Sequence, residues 1–110
     1  MKNLFFLTML IFSQNVFASD FSDCASNALK QDLAGEKASL SKSCINKFQT
    51  DFQSCGFLAM MQDLAGEQSS LSLLCVNKYR KTVSLATCYQ LANSQQLDGD
   101  ASEISEACTN

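Results

Sequence analysis

The sequence predicts an all-α protein of three tandem disulfide-stapled αα-hairpins, six short helices in a solenoid- or bundle-like stack. Three observations predict it. The six cysteines fall into three C-x19-C pairs: Cys24 and Cys44, Cys55 and Cys75, Cys88 and Cys108. Other positions keep step with them. Ala28, Ala59 and Ala92 fall four residues after the first Cys, Leu33, Leu64 and Leu97 nine after it, and Gly35, Gly66 and Gly99 eleven after it. Finally, the chain has no Pro, and beyond its first eighteen residues few β-branched ones. It is rich in Ala, Leu, Ser, Gln and Lys, which favour helix. A fixed period of 20–50 residues marks a repeat architecture.

Residues 1–18, MKNLFFLTMLIFSQNVFA, read as a secretory signal peptide: Lys2, an apolar run from Leu4 to Phe12, then Val16 and Ala18 at the −3 and −1 positions. Nine apolar residues are too few for a spanning helix, which needs about 20, and no Cys follows the cut to carry a lipid. Residues 19–110 then form one small domain of repeats 24–50, 55–81 and 88–110. Without Lys2, seven basic residues stand against eleven acidic ones, a net charge of −4. Such a chain is poorly suited to nucleic acid or anionic membranes. An even cysteine count in a short exported chain implies a disulfide framework. Zinc would want closely spaced Cys pairs and often His; no two Cys are closer than eleven positions, and the chain has no His.

Each repeat divides in two. In the first half Cys, Ala and Leu or Met lie at 0, +4 and +5, as Cys24, Ala28, Leu29 and Cys55, Ala59, Met60. The second half carries Leu40, Cys44, Ile45 and Phe48, repeated as Leu71, Cys75, Val76 and Tyr79, one face of a helix. Between the halves stands QDLAGE, identical at Gln31–Glu36 and Gln62–Glu67 and diverged to QQLDGD at Gln95–Asp100. Gly35, Gly66 and Gly99 are expected as helix-turn residues, left-handed and closing the preceding helix. Glu36, Glu67 and Asp100 are expected to begin the next helix, where the macrodipole favours negative charge. Each Gly has one Cys eleven residues before it and one nine after it. Both lie about 15 Å from the turn, level in an antiparallel pair. This favours Cys24–Cys44, Cys55–Cys75 and Cys88–Cys108. Cys44–Cys55 and Cys75–Cys88 are also level across the intervening turns, leaving Cys24 to meet Cys108.

The repeats are not equivalent. Ser26 and Asn27 become Phe57 and Leu58 in the second unit, Lys30 becomes Met61, and Lys42 and Ser43 become Leu73 and Leu74. A central unit covered on both sides by polar end units explains this. A functional reading is an apolar binding surface of Phe57, Met60, Met61 and Leu74, since Met-rich surfaces suit adaptable binding.

Little points to catalysis. Without His the usual triads and dyads are excluded, and with all Cys paired no thiolate remains. Ser39-Leu-Ser-Lys42 matches S-x-x-K without the companion motifs of that chemistry, and reads as a helix face. Asp98-Gly-Asp100 hints at a calcium loop, but the positions an EF-hand gives to Gly and Glu hold Glu103 and Thr109. Asp32, Glu36, Asp63 and Glu67 are expected at helix ends, and Asn77–Lys81 near a helix C-terminus. No catalytic residue, metal or cofactor is assigned. Sel1-like cysteine-rich proteins, with one disulfide per hairpin, are similar in architecture, though their cysteines are more closely spaced. The expectation is a non-enzymatic exported module, structural or binding a protein partner; the alternative is a carrier of a small apolar ligand around the middle repeat.

Overall fold

The computed structural model describes residues 16–110, with side chains from residue 20 onward. Residues 1–15 of the expected signal peptide lie outside the described residues. Among the described residues six α-helices follow one another: α1 (Val16–Leu29), α2 (Ala34–Lys47), α3 (Phe52–Met60), α4 (Ala65–Tyr79), α5 (Leu85–Asn93) and α6 (Asp98–Thr109), with a 3-10 turn at Arg80–Thr82. The cleavage point expected after Ala18 falls in the first turn of α1.

The helices pack in sequential pairs, α1 on α2, α3 on α4 and α5 on α6, and the second members α2, α4 and α6 lie side by side with α4 central. One disulfide staples each pair: Cys24–Cys44, Cys55–Cys75 and Cys88–Cys108, with Cα atoms 5.7, 5.7 and 5.9 Å apart. Each closes a loop with a sequence separation of 20 residues, which removes chain entropy worth about 3 kcal/mol from the unfolded state. One turn beyond the first Cys, Ala28, Ala59 and Ala92 are fully buried; a larger side chain there would push the paired helices apart.

The core follows the helical period. On α4, Gln68, Leu71, Ser72, Cys75, Val76 and Tyr79 are buried, a broad stripe that meets neighbours on both sides. Ile45, Leu58, Val76 and Ile104 are among the largest fully buried side chains, each contributing about 1.5–3 kcal/mol. α3 and α5 start at side-chain caps, Asp51 accepting from the Ser54 amide at 2.7 Å and Ser84 from the Thr87 amide at 3.1 Å.

The repeated phrase works differently from expectation. None of the described glycines has a positive φ. Gly35, Gly66 and Gly99 do not close the preceding helix; each is the second residue of the next one, α2, α4 or α6. The preceding helices have already ended at Leu29, Met60 and Asn93. What closes them is the glutamine that opens the phrase. Gln31, Gln62 and Gln95 each donate from Nε2 to the carbonyl four residues back, Asn27, Leu58 and Leu91, at 3.1, 3.0 and 3.1 Å. Tight backbone turns, Gln31 to Ala28 and its equivalents Gln62 to Ala59 and Gln95 to Ala92, complete the stop.

The same glutamines lock neighbouring pairs together. Gln62 Nε2 also donates to Ser41 Oγ, and Gln95 Nε2 to Ser72 Oγ, both at 3.0 Å. Ser41 and Ser72 occupy one register position, as do Gln62 and Gln95, and all four are buried. A second rung repeats nearer the turns. Lys37 Nζ donates to Asp63 at 3.2 Å across the first junction, and Gln96 Nε2 to Gln68 Oε1 at 3.1 Å across the second, again at matched positions. The two junctions therefore share the same pair of rungs.

Candidate functional site

α3 begins with an apolar stripe, Phe52, Cys55, Leu58 and Ala59, that turns inward. Phe57 lies off that stripe and projects outward, 65% exposed. Because α1, α3 and α5 lie less closely against one another than the second helices do, Phe57 stands on a ridge between two grooves. The larger, about 490 Å³, runs between α1 and α3, where Phe21, Ala25 and Leu29 face Leu58 and Phe57. The smaller, about 290 Å³, runs between α3 and α5, where Phe52, Gly56 and Met60 face Leu91. Gly56 sets the second spacing: a Cβ there would meet Leu91 Cδ1 at 3.4 Å. The polar residues lining the grooves are Ser, Thr and Gln, and none of the lining residues is charged.

The expected apolar surface is thus divided. Phe57 and Met60 share the α3–α5 groove. Met60 also serves the interior, its Sδ accepting from Ser72 Oγ at 3.6 Å and Gln95 Nε2 at 3.4 Å. Met61, 46% exposed, caps the C-terminus of α3 and lines neither groove. Leu74 packs half-buried against the core from α4 and also lines neither. Phe21, Leu29 and Leu91 complete the grooves but belong to the outer repeats. The shared spacing of Phe21 and Phe52, each three residues before its first Cys, is the signal that points to Phe21.

The remaining clusters have structural roles. Lys78 Nζ donates to the Ile45 carbonyl at the end of α2, and Arg80 Nη1 to the Ala107 carbonyl at the end of α6 at 3.3 Å. The basic stretch therefore closes the C-termini of two neighbouring helices. Ser39 and Lys42 are exposed on α2, while Ser41 between them is buried against Gln62. All six cysteines are in disulfides. Among the described residues no three His, Cys, Asp or Glu side chains gather closely enough to hold a metal ion. No described helix is long and apolar enough to cross a membrane. Comparisons of the chain with protein-family models, with curated proteins and with solved structures find no match.

Proposed function

We propose that this protein is a small exported, non-enzymatic helical-repeat module that binds a protein partner on the face formed by α1, α3 and α5. The observation that carries the reading is Phe57, a large aromatic side chain left on a ridge between two uncharged grooves. Aromatic anchors of this kind dominate interface energies. The uncharged linings suit a partner segment whose contacting side chains are apolar and uncharged. Export is supported by the signal-peptide pattern of residues 1–18 and by three disulfides in a small domain, which belong in an oxidising compartment. The second reading, a carrier of a small apolar ligand, is favoured by the volume of the α1–α3 groove, about 490 Å³, which lies in the range of small-molecule sites.

The test is capture in the native compartment with a photo-crosslinking amino acid at position 57, followed by affinity measurement on the partner recovered. Phe57→Ala is expected to weaken binding about thirtyfold, the loss of a hot spot worth about 2 kcal/mol. An unchanged affinity refutes the reading. A small apolar molecule co-purifying with the native protein and lost in Phe57→Ala would establish the carrier instead.

A further inference from the structure

Three leucines are exposed where the repeats would be expected to hide them. Leu33, Leu64 and Leu97 precede α2, α4 and α6 with closely matched backbone angles, and each is more than half exposed (62, 54 and 56%). Packing explains the invariance of Ala28, Ala59 and Ala92, and hydrogen bonding that of Gln62 and Gln95. Neither explains the leucines. Among the other exposed positions some drift between the units, as Ser26, Phe57 and Gln90 show, and the polar Asn46, Asn77 and Asn110 are kept; the leucines are the kept exposed positions that are apolar and large.

A second invariance lies beside the first. A Cβ added at Gly35, Gly66 or Gly99 would meet nothing within 4 Å, and none of these glycines has a positive φ. Ala is the better helix former, yet all three units keep Gly at the second position of the helix. The fold asks for no glycine here, but a partner lying close against the backbone would.

The rungs Lys37–Asp63 and Gln96–Gln68 hold the three turns side by side, so the leucines form a row along one edge of the array. Helices pack about 8–10 Å apart, which sets the spacing of the row. A helix laid across it presents every seventh residue at a rise of about 10.5 Å. Carboxylates flank the row: the exposed Asp32 and Glu36 in the first turn, the half-buried Glu67 with one oxygen covered in the second, and Asp98 and Asp100 in the third. Among the described residues Asp63 is the carboxylate held in an ion pair, with Lys37. A second copy of this chain, an anionic membrane or a nucleic acid would be repelled there.

We propose that this edge is a second docking surface, built for a basic amphipathic helix of a partner protein that places one apolar residue per heptad on Leu33, Leu64 and Leu97 and its Lys or Arg residues among the flanking carboxylates. The inference rests on the reading of the protein as an interaction module, but uses a different face from Phe57.

The probe is a synthetic alanine-based helix carrying Leu every seventh residue and Lys on either side, with a counterpart in which every Lys is Glu. Binding to the full disulfide-bonded chain is followed by fluorescence anisotropy at low and at physiological salt. The Lys peptide is expected to bind, more tightly at low salt, and the Glu peptide not to bind. Each Leu→Ser change should weaken binding about fivefold, and Leu33→Ser/Leu64→Ser/Leu97→Ser together about a hundredfold. Circular dichroism checks that the triple variant keeps its helices, and Phe57→Ser should leave peptide binding unchanged. The proposal is overturned if the Lys peptide does not bind, if the folded triple variant binds it equally well, or if the Glu peptide binds too. Failure of the Lys peptide to bind while Phe57-dependent capture stays intact would overturn this inference alone.

Discussion

Replacing Ser41 with Ala removes the acceptor that joins the first helix pair to the second. Ser41 is fully buried and Gln62 is 3% exposed, so the freed Nε2 proton of Gln62 has no water to turn to. It keeps only its bond to the Leu58 carbonyl at 3.0 Å. A lost hydrogen bond that orphans a buried donor costs about 1–2 kcal/mol. Gln62→Leu should cost about 1 kcal/mol: it breaks the same bond but also removes Gln62 Oε1, which is buried without a partner among the described residues. The Leu58 carbonyl keeps the Met61 amide at 3.2 Å, and the Ser41 hydroxyl can turn to its own helix four residues back. The double variant puts two apolar groups where the pair stood, so it should cost no more than Ser41→Ala alone. The cycle then yields a coupling of about 1 kcal/mol. The assay is guanidinium chloride unfolding with disulfides intact, followed by circular dichroism at unchanged slope. Ser41→Ala with Gln95→Leu, from different junctions, is the additive control. An additive Ser41–Gln62 cycle would refute the view that these rungs carry the stacking.

Other outcomes follow from the same geometry. Gly66→Ala should stabilise the protein by up to about 1 kcal/mol in thermal unfolding, because the site has room for a Cβ and a backbone that any residue can adopt. Ala59→Leu should destabilise by about 1–3 kcal/mol, since Ala59 is fully buried at the α3–α4 contact. Cys55→Ala/Cys75→Ala should cost about 3 kcal/mol or more by denaturant unfolding, the central pair losing its staple. Asp63→Asn should cost under about 1 kcal/mol in the same assay, because its partnership with Lys37 lies at the surface.

The helical class and the pairing of helices were legible because two periods coincide in the sequence. The C-x19-C spacing places both sulfurs at one level on either side of a turn, and Leu71, Cys75, Val76 and Tyr79 trace one face of α4. The helix boundaries were less legible. α2, α4 and α6 begin at Leu33, Leu64 and Leu97 with no side-chain cap, so the start signal of Ser, Thr, Asp or Asn is missing and Gly is the residue that draws the eye. The rungs were overlooked for a different reason. Gln62, Gln95, Ser41 and Ser72 repeat in step, but polar residues read as surface until a partner from the next unit is seen. Of the apolar surface expected around the middle unit, Phe57 and Met60 line one groove while Met61 and Leu74 line neither, because a difference between repeats does not say which way a side chain points. Phe21 carries a signal in the spacing it shares with Phe52, but Leu91 matches the buried Leu58, and a comparison made position by position does not show that it walls a groove of the adjacent unit.

The most direct test is a tryptic map of the non-reduced protein. Cleavage at Lys30, Lys42, Lys47, Lys78 and Lys81 separates the three staples. Three stapled helix pairs predict that the peptide ending at Lys30 stays joined to Ser43–Lys47, while Phe48–Lys78 and Thr82–Asn110 are released separately, each closed on itself. Ser43–Lys47 joined to Phe48–Lys78, or Phe48–Lys78 joined to Thr82–Asn110, would mean bonds between units and would contradict the fold described above.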